Sequence, residues 1–150
     1  MKHSRSSLFL MEMILAILFF SLASAVCIQL FAKSHTLSKL TINQNHALIQ
    51  TQNLAEGFLA AEGDLEEISS LFPLSDLDEK SNSITLYFDD DWNPVETESA
   101  AFQAVLTESS LVQDGLISAD ISVTECKQDI TLLYSLQVKQ HIPERSESHE

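Results

Sequence analysis

The chain has 150 residues, enough for one modest domain with a single hydrophobic core, and its formal net charge is −14. Residues 33–150 hold six of the eight Lys and Arg but 21 of the 22 Asp and Glu, which leaves a charge of −15 there. A surface this acidic repels phosphate groups, so direct binding of nucleic acid is disfavoured. The two cysteines, Cys27 and Cys126, indicate no disulfide framework. We predict that both are buried as small apolar side chains, with an intermolecular bridge as the alternative.

The amino-terminal segment, residues 8–32, is apolar apart from Glu12, Gln29 and a few serines. About 20 apolar residues suffice for a helix to cross a bilayer, so this segment is long enough to span one. Residues 1–7 form a short leader that contains Lys2 and Arg5. Because basic residues stay on the cytoplasmic side, they predict a cytoplasmic amino terminus and an extracytoplasmic remainder.

Glu12 is the unusual residue of this segment, since a carboxylate in a membrane-spanning helix is costly and usually has a partner or a function. It is the fifth residue of the apolar run that begins at Leu8, directly after the basic leader. This arrangement resembles the class III signal of type IV prepilins and type II secretion pseudopilins. The resemblance implies that a prepilin peptidase cuts between Ser7 and Leu8 and that the new Leu8 amine is methylated. It also implies that Glu12 pairs with the terminal amine of a neighbouring subunit during assembly.

Two other interpretations of the segment remain open. The A-x-A sequence at residues 23–25 fits a signal peptidase site, and cleavage there would release a soluble secreted domain that begins at Val26. An uncleaved signal anchor explains the apolar run but leaves Glu12 without a role. A lipoprotein signal at Cys27 is disfavoured, because Val26 stands where a small residue is normally required.

Residues 33–72 are predicted to form an amphipathic helix that continues the first. Apolar and small side chains recur there at helical spacing: Leu37, Leu40, Ala47, Leu48, Leu54, Ala55, Phe58, Leu65, Ile68 and Leu71. Pro73 ends this helix, because proline cannot extend it and restricts Phe72 before it. The whole helix would be longer than a small domain needs, so a break is predicted near Gly57 or Gly63.

The remainder of the chain changes from helical to alternating periodicity after a linker at residues 73–83. Four alternating runs begin at Ile84, Phe102, Ile117 and Ile130, and in the last of them Leu132, Tyr134, Leu136 and Val138 are expected on one face. Four sequential strands with short connections predict an antiparallel meander over residues 84–142, covered by the long helix. The predicted fold class is therefore α+β, with the layout of a pilin. The polar tail, residues 143–150, is predicted to be disordered.

The acidic sequence around Trp92 is the only candidate for a metal site. Asp89, Asp91 and Asn93 have the spacing of the first oxygen ligands in a calcium loop, although the later positions of such a loop are absent. A turn in which Asp and Asn cap backbone groups is the simpler prediction. Trp92 is expected to pack beside the hairpin turn, with exposure as a recognition residue as the alternative.

No catalytic motif, phosphate-binding glycine loop or zinc spacing is present in the sequence, so we expect neither enzymatic activity nor a cofactor, apart from possible calcium. The function expected from the resemblance is that of a minor pilin or pseudopilin in the bacterial cell membrane. Its partners would be other pilin-like subunits, bound through the amino-terminal helix, the prepilin peptidase and an inner-membrane assembly platform. The alternative is an uncleaved, signal-anchored protein whose acidic domain binds a partner.

Overall fold

The computed structural model describes residues 4–113, 115–126 and 130–141. The chain divides into two compact units, Met1–Ile42 and Asn43–Glu150. The elements are helix α1 (Ser4–Ala60), helix α2 (Leu65–Leu71), strands β1 (Asp76–Asp78) and β2 (Ser83–Phe88), a 3₁₀ turn (Thr97–Ser99), and strands β3 (Phe102–Gln113), β4 (Leu116–Glu125) and β5 (Thr131–His141). The strands form one antiparallel sheet in the order β1-β2-β3-β4-β5. The α+β class and the meander are therefore as predicted.

The predicted helix over residues 33–72 is interrupted. Of the two predicted positions of the break, Gly63 is confirmed, whereas Gly57 lies within α1. Helix α1 ends at Ala60, and the Gly63 N–H donates to the Phe58 carbonyl. Gly63 has a φ of +87°, and a Cβ added there would lie 2.6 Å from the Ile117 Cδ1 atom. The chain can turn at this position because glycine tolerates both the positive φ and the close contact. Asp64 then caps α2, and Pro73 follows the end of α2 instead of ending one long helix.

The sheet has five strands, and the prediction of four was wrong by one. Strands β2 to β5 correspond to the four predicted runs, whereas β1 lies inside the predicted linker at residues 73–83. Its sequence, Asp-Leu-Asp, is too short and polar to show strand periodicity. It becomes a strand because Leu77 pairs with Ile84 of β2.

The core of the second unit lies between the carboxyl-terminal part of α1 and the inner face of the sheet. Helix residues Ala47, Leu54, Ala55 and Phe58 are buried there with α2 residue Ile68 and with sheet residues Ile84, Leu86, Phe88, Phe102, Ala104, Leu106, Ile117, Ala119, Ile121 and Val123. Thr51 is also buried, and its hydroxyl donates to the Ala47 carbonyl at 2.8 Å. Burial of this apolar surface is the main force that stabilises the unit. The apolar face predicted for the amphipathic helix is longer than the buried surface, because Leu37, Leu40 and Leu71 are exposed.

Strand β5 departs from simple alternation at its beginning. Val123 pairs with Tyr134, but Thr124 pairs with Leu132, so Leu133 is an extra residue in the ladder. Such a bulge reverses which residues face inward. Leu133 is consequently buried and Leu132 is exposed, so the prediction that Leu132 faces the core was wrong.

One of the two cysteines also differs from expectation. Cys126 is free and exposed, so the prediction that its side chain is buried was wrong, whereas Cys27 lies on the exposed apolar part of α1. Cys126 follows the last residue of β4, where its backbone N–H donates to the Ala101 carbonyl while its side chain points outward. The predicted tail at residues 143–150 lies outside the described residues.

Candidate functional site

The amino-terminal part of α1 presents a surface of exposed apolar side chains. Its large apolar side chains are at least 44% exposed over residues 8–31, among them Leu8 and Phe9 at 65% each and Phe31 at 78%. Within the described residues this is the one helix long and apolar enough to cross a membrane. That length and composition are consistent with a single-pass membrane protein.

The predicted processing site lies near the start of this helix. Ser7 and Leu8 are both exposed and both have helical backbone, because α1 begins at Ser4. A peptidase that binds its substrate in extended form would have to unwind this first turn. The cost is small, since helix ends without tertiary contacts open readily.

Glu12 lies one helical turn after Leu8, in the same exposed surface. It is the one charged residue between Leu8 and Ala32. Within the described part of the chain, Glu12 forms no ion pair and no hydrogen bond through its side chain. Burial of this carboxylate in lipid would be costly without a compensating positive charge.

The candidate calcium residues lie in the connection between β2 and β3, where Asp89 organises a tight turn. The Asp89 Oδ1 atom accepts hydrogen bonds from the Asp91 and Asn93 backbone N–H groups, both at 2.9 Å. The Asn93 side-chain amide donates to Asp89 Oδ2 at 3.2 Å. The Asp89 N–H donates to the Asn93 carbonyl at 3.0 Å, which closes the turn. The turn thus brings Asp89 and Asn93 together, but they form hydrogen bonds with each other and do not face a shared ion.

The electrostatics of the turn agree with this arrangement. Donation from the Asn93 backbone N–H holds the pKa of Asp89 below its ordinary value, with further contributions from the Asn93 side chain and the Asp91 N–H. The ionised carboxylate is therefore the form that the turn stabilises.

The geometry favours the capping role over calcium binding. Calcium needs six or more oxygen ligands that converge on one point, whereas both Asp89 oxygens already face N–H donors. Asp91 contributes its backbone N–H to the turn, and its side chain is exposed. Across the described residues, no group of three or more His, Cys, Asp or Glu side chains could hold a metal ion.

Trp92 packs against the helix beside this turn, as predicted. It is 7% exposed, and its ring stacks on that of Phe102, with centroids 4.3 Å apart and planes 12° apart. On its other side it stacks on His46 of α1 at 5.4 Å. Its Nε1–H donates to the Asn43 Oδ1 atom at 3.5 Å. The aromatic cluster of His46, Trp92 and Phe102 therefore joins the hairpin turn to the helix.

The contribution of His46 and Asn43 was not foreseen from the sequence. Asn43 and Trp92 are 49 residues apart along the chain, and no local pattern links them. The one available signal was the burial expected for a lone tryptophan beside a turn, which does not identify its neighbours.

Comparison of the chain with family models, with curated proteins and with solved structures finds no match.

Proposed function

We propose that this chain is a structural subunit, a minor pilin or pseudopilin, of a type IV pilus-like or type II secretion-like filament. One observation carries the proposal. Helix α1 is continuous from Ser4 to Ala60, but its surface changes character along its length. The first part exposes apolar side chains with Glu12 as their one charge, and the last part is buried against an antiparallel meander.

The exposed apolar surface supports residence in a membrane before assembly. Exposed apolar patches of this size are rare on monomeric soluble proteins, and burial of each large side chain is worth about 1.5–3 kcal/mol. Lipid tails or the apolar helices of neighbouring subunits can supply that burial. The same residues could therefore hold the chain in a membrane pool and later pack within a filament.

Glu12 is suited to fix the register between subunits. After cleavage at Ser7, the Leu8 amine would be a positive charge at the helix start, where lipid excludes water. A carboxylate in such surroundings is strongly stabilised by a cation with which it can form a charge-assisted hydrogen bond. A neighbouring subunit displaced along the helix axis would present its Leu8 amine to Glu12. This contact would form as subunits assemble. Before that step, the chain would bind the prepilin peptidase and the assembly platform.

The proposed topology follows from the charges of the leader. Lys2 and Arg5 would keep the amino terminus in the cytoplasm of a bacterial cell, with the sheet domain outside. The charge of −15 after Ala32 makes direct binding of DNA by this subunit unfavourable.

The decisive experiment is intact-mass measurement and amino-terminal sequencing of the chain purified from native membranes. An N-methylated Leu8 is the expected result. A chain that begins at Met1 contradicts the proposal in favour of a signal anchor, and one that begins at Val26 indicates a secreted domain.

A second experiment tests Glu12 independently of processing. We expect Glu12→Ala to be inserted and cleaved as in the wild type but to be lost from sheared filaments, because the charge partner of the Leu8 amine is gone. Gln29→Ala, a change of the other strongly polar side chain in the segment, should leave assembly intact. Wild-type incorporation of Glu12→Ala would contradict the assembly role.

The alternative function, an uncleaved signal-anchored protein with an acidic partner-binding domain, is favoured by one residue. Ser7 stands where prepilins nearly always have glycine before the cut. A Ser7→Gly variant separates the two functions. If the wild type remains intact in native membranes and only Ser7→Gly is cleaved, the wild type is an anchored protein and not a processed subunit.

A further inference from the structure

Strand β5 is the last strand of the sheet in the part of the chain that the structure describes. Among the described residues β5 pairs with β4 alone, and it has 11 residues. The free edge of a strand presents unpaired N–H and C=O groups, and proteins usually protect it with charges, proline or short length. Strand β5 contains no proline and no carboxylate, and Lys139 is its one Lys or Arg. After the bulge at Leu133 it is regular to His141.

The inner face of β5 is less well covered than that of its neighbours. Ile84, Leu106, Ile121 and Leu136 lie side by side across the sheet, one from each of β2 to β5. The first three are at most 1% exposed, whereas Leu136 is only partly buried. Tyr134 and Val138 are also partly buried. The apolar row is therefore incomplete at the β5 edge.

The opposite edge, β1, has complementary properties. It pairs with β2 alone among the described residues, and Leu77 lies in the same row as Ile84 and Leu136. Leu77 is also partly buried. Asp76 and Asp78 lie on the outer face of the sheet and are exposed. One edge thus carries two carboxylates, and the other carries Lys139 on the same face.

The topology fixes how two copies could join through these edges. In an antiparallel meander of five strands, β1 and β5 run in the same direction. A second copy in the same orientation would therefore bring its β1 beside β5 as a parallel neighbour. Asp76 and Asp78 lie level with Ser135 and Gln137 across the sheet. If the second copy is displaced along the strand by two residues, the inner and outer faces of the two sheets still match, because side chains alternate with a period of two. Asp78 of that copy then lies beside Lys139.

Pairing of β5 with β5 is the competing arrangement, and the direction of the helix argues against it. Asn43 and His46 contact Trp92, which precedes the start of β3. Gly63, just after the helix, lies close to Ile117 at the start of β4, which is beside the end of β3. The last part of α1 thus runs along the strands. A two-fold β5–β5 pair would reverse this helix in one copy, which copies inserted in one direction do not permit.

We propose that neighbouring copies of this chain join edge to edge, β5 of one copy beside β1 of the next, with Lys139 near the partner's Asp78. This inference rests on the proposed function for the shared orientation of the copies. The contact does not close on itself, so it generates rows and not isolated pairs. Because β1 has three residues, the contact is weak alone and needs the high effective concentration of a shared membrane or filament.

Disulfide cross-linking in native membranes tests the proposal. In a full-length chain with Cys27→Ala and Cys126→Ser, the pair Asp76→Cys and Gln137→Cys should give a ladder of oligomers after mild oxidation. In the proposed contact, position 76 of one copy lies beside position 137 of its neighbour on adjacent strands, within the reach of a disulfide. Each single variant should remain monomeric, and a mixture of the two should give dimers only. Glu66→Cys with Gln137→Cys is the matched exposed control and should give no ladder.

Charge variants test whether Lys139 and Asp78 form the predicted ion pair in this contact. On the cross-linking background, Lys139→Glu should reduce the ladder several-fold, because it opposes Asp78, and Lys139→Arg should retain it. Dimers from Gln137→Cys alone, or no ladder from the double variant with an intact sheet signal, would overturn the proposal. The mass of the same chains separates the two proposals: a ladder from chains that retain Met1 keeps the edge contact and contradicts the filament subunit. Chains that begin at Leu8 but give no ladder support the filament subunit and contradict the edge contact.

Discussion

The indole of Trp92 lies over the imidazole of His46, with ring centroids 5.4 Å apart and planes 14° apart. This contact joins the β2–β3 connection to helix α1. Trp92 adopts a φ of +64°, a conformation that is unfavourable for a bulky residue and persists only where its surroundings enforce it. The stacking on His46 and Phe102 and the hydrogen bond to Asn43 supply that enforcement.

Trp92→Ala should therefore destabilise the second unit substantially. Loss of a buried tryptophan typically costs about 3–5 kcal/mol, and we expect about 3 kcal/mol here because one face of the ring borders a partly exposed histidine. Urea unfolding of the detergent-solubilised chain, followed by the β-sheet band in the infrared spectrum, measures the change. Trp92→Phe retains the stacking and should cost less than half as much. Equal losses for the two variants would show that the stacking is not what stabilises the turn.

Asp89→Asn should produce a destabilisation that depends on pH. Hydrogen bonds from the Asn93 and Asp91 N–H groups lower the pKa of Asp89 in the folded state. A lowered pKa means that the ionised carboxylate stabilises the fold above its unfolded pKa, near 3.8, and that this stability is lost as the pH falls through the folded value. The urea midpoint of the variant should lie below that of the wild type at pH 7, and the difference should disappear in stronger acid. Asp91→Asn, which leaves the hydrogen bonds to Asp89 intact, is the control and should keep the wild-type urea midpoint at pH 7.

Calcium should leave the unfolding temperature of the chain unchanged. A ligand that binds the native state must raise its stability, and Asp89 is already engaged with N–H donors in the turn. Thermal unfolding in millimolar calcium and in chelator makes the comparison. A rise in calcium that is abolished by Asp91→Asn would establish a metal site in the turn.

Gly63→Ala should destabilise the chain more than Gly57→Ala. A Cβ at Gly63 would lie 2.6 Å from Ile117 Cδ1, and its φ of +87° strains any other residue, so we expect a loss of about 1–3 kcal/mol. At Gly57 the nearest atom is Phe72 Cε2 at 3.0 Å, and φ is not positive. Alanine also favours the helix there by up to about 1 kcal/mol, which offsets the contact. Comparison of the urea midpoints tests this order, and a reversed order would mean that the turn after α1 is not held as described.

Leu133→Ala should cost about 2 kcal/mol or more, whereas Leu132→Ala should change stability by less than about 0.5 kcal/mol. The reason is the bulge in β5, which buries Leu133 and leaves Leu132 58% exposed. The two variants remove the same atoms from adjacent positions, so each serves as the control for the other. Greater loss for Leu132→Ala would show that the strand keeps the simple alternation of its sequence.

Features that depend on local composition and periodicity can be predicted from the sequence alone. The apolar run after Leu8 predicts a helix able to span a membrane, and the alternation in β2, β3 and β4 predicts both the strands and their inward faces. The glycines at positions 57 and 63 predict a break in the helix near one of them, because glycine tolerates a positive φ, but the sequence does not decide between the two. Asp89 and Asn93 predict a capped turn from their own short-range hydrogen bonding.

Features that depend on residues far apart in the sequence become visible in the folded chain. Asp76–Asp78 becomes a strand because Ser83–Thr85 offers it an edge, and Leu133 is buried because the ladder with Val123 and Thr124 gains a residue there. His46 acquires a role because the β2–β3 connection places Trp92 against it. Pairing across a sheet and packing between a helix and a turn bring together residues that are far apart in sequence, and the energy of such contacts is not encoded in the local pattern of either partner.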